Sequence, residues 1–426
     1  MKVEEVPQDL KYFKGSVVRD SNYALDDENH FQLVQSDGWE PKNDALDLVL
    51  EEYDDQEERS KMKLEVPRKY EGFELNLSLR PAAHCENGTT SMLLSYYGIN
   101  LSEPMIFGLA SGLFFVHIPF VKMSGMPMTS FRSFPGVLFK RATKLLGIET
   151  ESRRFLIKDH AMRTLDKVLL EEHRPVGVVV GIYYLTYYPP EYRFPFNGHN
   201  ICVIGKNEET QEYSVLDPNT TQKVTISYDD LKKVRFSPGS YPLMGQMYWI
   251  KKVPEQLPDL RPLVLKAIHK TCWLMVSEPS WIIFAGTRGI NYLSHRMRKW
   301  EKKKGEHGAR MNLVNVIRML EEVGTGGAGY RFVYSAFLQE AAEKTGFNIL
   351  NDYSLRLSEI GDLWRDFAYK ASRVYKKRSK NSNVGEQLTY NQLADLLQTI
   401  GEKEQQFFLD LDEEVKQLST KNNMPL

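Results

Sequence analysis

The sequence predicts an α+β protein, with a mixed domain followed by a mainly helical one, and three observations carry that reading. Between about residues 76 and 252 strand signals alternate with helical ones. The stretch Val253–Pro262 (VPEQLPDLRP) then holds three prolines and reads as a linker. From about Leu263 to Leu418 apolar residues recur at spacings of three and four, with few strand signals. A chain of 426 residues is long enough for two or three domains, each with a core. The expected division is an acidic extension over 1–75, a mixed α+β domain over 76–252 and a helical domain over 253–426.

The extension is defined by charge. Residues 1–70 carry 10 Lys and Arg against 18 Asp and Glu, a net −8, while the other 356 carry 45 against 38, a net +7. The acid concentrates in Glu51–Glu58 (EEYDDQEE). Such a block reads as a solvated surface, or as a segment that docks on the basic remainder or on a partner. The N-terminus shows no apolar signal region, so a cytoplasmic protein is expected.

The first clear helix runs from Glu86, with Met92, Leu93, Tyr96 and Tyr97 on one face and Gly98 as its stop. Pro104–Val121 is 18 residues without a formal charge, close to spanning length. Gly108, Ser111, Gly112 and His117 interrupt it, which favours a buried core segment over a membrane span. Val176–Leu185, Asn200–Gly205 and Glu212–Leu216 are β-branched or aromatic runs bounded by Pro, Gly and Asn, and read as strands. Met311–Val323 and Tyr334–Lys344 have helical spacing.

Composition narrows the function. Hydrophobic residues at 42% and charged residues at 26% exclude a disordered or collagen-like chain. A net charge of −1 argues against a dedicated nucleic-acid binder. Three cysteines (85, 202, 272) without a CxxC pair argue against a disulfide framework and for a reducing compartment. The histidines show no metal-ligand spacing, so no metal is expected. Gly324–Gly329 fits GxGxxG but follows a helical pattern rather than a strand. It reads as an inter-helix connection, with a loop lining a substrate entrance as the alternative.

The candidate chemistry lies in His84-Cys85-Glu86 and in Gly198-His199-Asn200 with Asp217-Pro218-Asn219. Cys85 falls at a helix N-terminus, where free N–H groups and the helix dipole favour the thiolate; the plain alternative is a buried structural cysteine. His199 opens a strand and Asp217 closes the next. A hairpin centred near residue 208 would set the two opposite one another, so that the carboxylate could fix the imidazole tautomer. Cysteine, histidine and aspartate in that order follow the order of a papain-like triad, with a surface His and a turn Asp as the plain alternative.

HCENGTTSMLLSYYG, LSEPMIFGLASGLFF, GHNICVIG and VLDPN together resemble the butirosin biosynthesis protein H N-terminal family, and AGTRGINYL (285–293) with EEVGTGGAGYRFVYSAFLQEAAE (321–343) resembles the helical domain that accompanies it. The resemblance covers roughly residues 80–400. It implies a papain-like cysteine-peptidase-type fold used for acyl transfer. The implied donor is the phosphopantetheine thioester of an acyl-carrier protein, with no bound cofactor, and the implied acceptor is a small amine. Cys85 matches the nucleophile, His199 the base and Asp217 the orienting acid. Many papain-like enzymes carry a Gln six residues before the nucleophile as oxyanion donor; Leu79 stands there instead. Cys85 N–H supplies one donor, the second is not identifiable, and His84 is an auxiliary candidate with a packing or capping role as its alternative.

Eight Lys and Arg lie within Arg288–Arg310, and a second cluster is Lys376-Lys377-Arg378-Ser379-Lys380. Each reads as a solvated face or, given that carrier proteins are typically acidic, as a docking patch for one. The rival functions are hydrolysis on the same triad, as a peptidase, amidase or thioesterase, and a non-catalytic binding protein.

Overall fold

A computed structural model describes residues 72–123, 125–239, 241–277, 282–377 and 388–426, together with two short strands at Tyr23–Leu25 and Phe31–Leu33. Most of the acidic extension, and residues 378–380 of the second basic cluster, lie outside the described residues. The chain is α+β, with a mostly antiparallel sheet in its N-terminal half and helices in its C-terminal half.

The compact units are not contiguous in sequence. One holds residues 72–101 with Ile148–Pro254, and the other holds Ser102–Gly147 with Glu255–Leu426. The expected unbroken stretch 76–252 is therefore interrupted by an excursion that packs with the helical half. The apolar run lies within that excursion. Ser102 caps the short helix Glu103–Leu109 by accepting the Met105 N–H, and the chain then becomes a hairpin of Leu113–Met123 and Met126–Arg132. Phe107 stacks on Tyr330, and Phe115 and Phe131 pack on Trp364, all within that unit.

In the sheet-bearing unit the elements are β1 (Phe73–Glu74), α1 (Cys85–Tyr96), β2 (Glu149–Arg153), α2 (Lys158–Asp166), β3 (Val176–Gly181), β4 (Asn197–Asn207), β5 (Glu212–Leu216), β6 (Val224–Ser227), α3 (Tyr228–Val234) and β7 (Met247–Lys252). The strand order is β6-β5-β4-β3-β7-β2, and β1 also pairs with β4. Every pairing between these strands is antiparallel. β3 is buried throughout and β4 from Gly198 onward. That burial explains their near-continuous Val, Ile and Cys content, since a strand covered on both faces has no solvent side to alternate with. β3 is shorter than its sequence predicts, because Ile182–Tyr184 turn away as a single 3-10 turn before the prolines at 189 and 190.

Helix α1 packs on β4, β3 and β7, with Met92, Leu93 and Leu94 fully buried. Tyr96 and Tyr97 are half-buried, and their hydroxyls donate to the carbonyls of His173 (2.9 Å) and Ile250 (3.0 Å). Gly98 adopts φ +78°, the left-handed stop expected just past a helix end.

The other unit adds helices at Val137–Leu145, Leu260–Cys272, Gly286–Met297, Trp300–Glu321, Arg331–Thr345, Leu350–Lys377 and Tyr390–Lys421. Its centre contains a fully buried ion pair. Arg331 donates to both Glu404 oxygens (2.7 and 2.8 Å), and Trp364 Nε1–H adds a bond of 2.6 Å. No helix among the described residues is long and apolar enough to cross a membrane.

Candidate active site

Cys85 is the first residue of α1. The first helical bond runs from Gly88 N–H to His84 O (3.0 Å), so the Cys85 N–H precedes the intrahelical ladder. His84 is buried at the N-cap position in extended conformation, and its side chain makes no cap hydrogen bond. Gly88 is required by close approach, since a Cβ there would come within 2.7 Å of both Ala82 and Pro218. With only hydrogen at that position, the first turn of α1 rests on the Asp217-Pro218-Asn219 turn, and Ala82 N–H bonds Pro218 O at 3.1 Å.

His199 lies near the start of β4, just after a bulge. The β3–β4 register passes from Val180↔His199 to Gly181↔Asn197, leaving Gly198 unpaired at φ +125°. A side chain would be strained in that conformation, and bulges of this kind re-aim the residues beside them. Asp217 directly follows β5. The β4–β5 ladder pairs Cys202 with Leu216 and Val203 with Val215, and the hairpin turns over residues 208–211. Continued, that register sets Asp217 beside Ile201, two residues from His199. The expected directly opposed pair is thus a diagonal pair on one face, still within reach. His199 Nε2 and Asp217 Oδ2 are 2.8 Å apart, and both side chains are buried.

The three side chains come together. Cys85 is half-buried, its sulfur lies 3.9 Å from Gly198 O, the carbonyl next to His199, and Asn200 Nδ2 donates to Sγ at 3.6 Å. Burial alone would raise the Cys85 thiol, but the His199 hydrogen bond and charge, with the Asn200 backbone and side-chain N–H groups, hold it below its ordinary value. Burial works against a charged His199, yet the Asp217 charge and hydrogen bond, helped by Cys85, push it up to about 10. Asp217 is lowered: burial opposes its charge, and His199, Asn219 N–H and Tyr187 outweigh that. The arrangement favours thiolate, imidazolium and carboxylate in a row, the charge state of an activated cysteine nucleophile. Cys202 and Cys272 differ, because both are buried and burial pushes their thiols up.

Several contributors were not singled out from sequence. Tyr187 and Tyr188 hydroxyls donate to Asp217 Oδ2 (2.8 and 2.9 Å), Tyr188 also lies 3.3 Å from His199 Nε2, and Asn219 N–H donates to Asp217 Oδ1 (2.9 Å). The tyrosines belong to an aromatic, proline-rich loop (TYYPPEYRFPF, 186–196) without periodicity to mark it. Asn200 carried a usable signal, being a polar residue at the head of the apolar run Ile201–Ile204. Tyr248 on β7 donates to Asn200 Oδ1 (2.9 Å), and its ring passes over Gly177, where a Cβ would lie 2.4 Å from it.

The glycine-rich segment connects the helices Trp300–Glu321 and Arg331–Thr345. Gly327 N–H donates to Thr325 Oγ1 (3.0 Å) and Ala328 N–H to Glu321 Oε1 (3.2 Å), so two amides of this segment are already bonded by side chains.

Comparison with known families places two matches along the chain. Residues 84–218 match the family described as butirosin biosynthesis protein H, N-terminal, and residues 229–411 match a domain of unknown function (DUF4872). No curated protein matches the chain. The first match contains Cys85, His199 and Asp217.

Proposed function

We propose that this chain, in which a butirosin biosynthesis protein H N-terminal-type domain is followed by a DUF4872 domain, is a cysteine-dependent acyltransferase. In this reading it moves an acyl or aminoacyl group from a carrier-protein thioester, through a Cys85 thioester, to an amine acceptor in natural-product biosynthesis. The observation that carries it is the buried His199–Asp217 pair set against the half-exposed Cys85 at a helix N-terminus. An antiparallel sheet covered by the helix that begins with Cys85 supports a papain-like assignment of the fold.

The Cys85 thiolate attacks the thioester carbonyl, and a tetrahedral oxyanion forms. As the intermediate collapses, the C–S bond to pantetheine breaks and imidazolium His199 protonates the departing thiolate. An amine then attacks the acyl-Cys85 carbonyl, His199 accepts its proton, and Cys85 leaves as thiolate with the amide formed. Asp217 remains a carboxylate throughout and holds the imidazole by Nε2, leaving Nδ1 for the proton transfers. Three free cysteines fit a reducing compartment such as the cytoplasm.

An acidic carrier partner is supported by unbalanced charge in the helical unit. Within Arg288–Arg310, Arg288, Arg298 and Arg310 are committed to Val276 O, Asp395 and the Tyr375 ring. Burial lowers Lys304, and Lys122 and Arg296 lower it further by repulsion. Lys122 belongs to a hairpin whose Phe120, Val121 and Met123 are exposed. A basic cluster beside an apolar tip suits an acidic protein with an apolar contact.

The test is incubation with an acylated carrier protein, read by intact mass. Wild type gains the acyl mass on Cys85 and releases it to an added amine, whereas Cys85→Ala gains none. Transfer by Cys85→Ala at the native rate would overturn the proposal, and release of free acid without regard to amine would reassign the protein as a hydrolase.

A further inference from the structure

The geometry points to Asn200 as the second oxyanion donor, acting with the Cys85 N–H in place of the glutamine absent at Leu79; this assignment rests on the acyl-transfer reading above. Asn200 is buried, at 4% exposure. Its amide nitrogen makes two bonds, to Gly198 O at 3.0 Å and to Cys85 Sγ at 3.6 Å. The Tyr248 hydroxyl donates to Oδ1 at 2.9 Å. Gly198 O can only accept, so it fixes the amide nitrogen on the side of the sulfur, and the Tyr248 hydroxyl anchors the oxygen end. The donor end is thereby aimed at the reacting atom before substrate arrives.

A thiolate needs such a donor only moderately; a tetrahedral intermediate needs it more. When Sγ bonds a carbonyl carbon, negative charge moves from the sulfur to an oxygen one bond further out. A donor already directed at Sγ from 3.6 Å needs little movement to meet that oxygen at about 3 Å, the reach of an oxyanion donor. Its companion donor, Cys85 N–H, lies ahead of the intrahelical ladder and adds the dipole of α1. Asn200 touches the reacting sulfur and is therefore assigned a catalytic role, and Tyr248 is a positioning residue acting through it.

This role differs from merely holding a thiolate, and two reactions separate them. Acylation of Cys85 by a small acyl thioester passes through an oxyanion, whereas alkylation by iodoacetamide does not. Asn200→Ala is expected to slow acylation by about 10²–10³-fold, the usual cost of one oxyanion donor, while alkylation at pH 7 changes far less. Tyr248→Phe keeps the ring over Gly177 but frees the amide, and should show the same selective loss at about tenfold, within the cost of a lost neutral hydrogen bond. Parallel loss in both reactions would reduce Asn200 to a thiolate partner and overturn the assignment, as would no loss in either. If wild type is alkylated but never acylated, the acyl-transfer reading itself has failed. Normal acylation of wild type with unchanged acylation of Asn200→Ala removes only the oxyanion assignment.

Discussion

Replacing Asp217 by Asn tests the electrostatics of the site without knowledge of the substrate. His199 Nε2 and Asp217 Oδ2 are 2.8 Å apart. At an effective dielectric of about 20, unit charges at that separation attract by roughly 6 kcal/mol, about four pKa units. Together with the Asp217 hydrogen bond and Cys85, that attraction outweighs burial and lifts His199 from 6.5 to about 10. Asp217→Asn keeps the shape but removes the charge, so burial decides and the imidazole is neutral at pH 7. Cys85 then loses the imidazolium that lowers it, and burial raises its thiol above the ordinary 9.0. Each unit of upward shift removes tenfold of the thiolate at neutral pH, and the greater nucleophilicity of a more basic thiol returns about half of that in logarithmic terms. Iodoacetamide alkylation, followed by intact mass from pH 5 to 10, should therefore show the Cys85 midpoint moving up, with the pH 7 rate falling about 10–100-fold. Cys202 and Cys272, buried with raised thiols, stay unlabelled in the folded protein and serve as internal references. An Asp217→Asn variant with native circular dichroism, the wild-type midpoint and a rate within about twofold would refute the reasoning.

Tyr187→Phe removes one of the hydroxyl donors on Asp217 Oδ2. Asp217 is lowered in the folded protein, so its charged state is lost as pH falls through its folded value. With a donor gone that value rises, and the acid limb of the Cys85 acylation profile should move to higher pH; an unmoved limb contradicts the role. In the helical unit, Arg331→Met leaves the Glu404 carboxylate buried beside Trp364. Urea unfolding should show about 3–5 kcal/mol of lost stability, with Arg331→Met/Glu404→Leu recovering much of it. A single-variant loss below about 1 kcal/mol would contradict this expectation.

The candidate site was legible because it depends on residue type and local position. Cys85 sits where a helix begins, and the run from Glu86 to Gly98 marks that helix through its apolar spacing and its glycine stop. His199 and Asp217 each lie at the end of a strand whose β-branched content identifies it. The strand Glu212–Leu216 has the bounds its sequence predicts, while the hairpin register does not. Loop length in a hairpin sets which residues oppose, and nothing in Lys206–Gln211 specifies where the ladder closes.

What tertiary structure alone decided are contacts between residues distant in sequence. Gly88 can be read as a tolerated helix glycine until Pro218 is found 130 positions later against it. The tyrosine pair on Asp217 and the Tyr248–Asn200–Cys85 chain join separate strands, loops and a helix, and no periodicity encodes such meetings. The excursion 102–147 shows the same limit at larger scale, since an apolar run states that it will be buried but not in which unit. Sequence by itself determined which groups could do the chemistry and which elements would hold them. The fold decided their distances and charge states, because hydrogen bonds and desolvation depend on neighbours that only packing supplies.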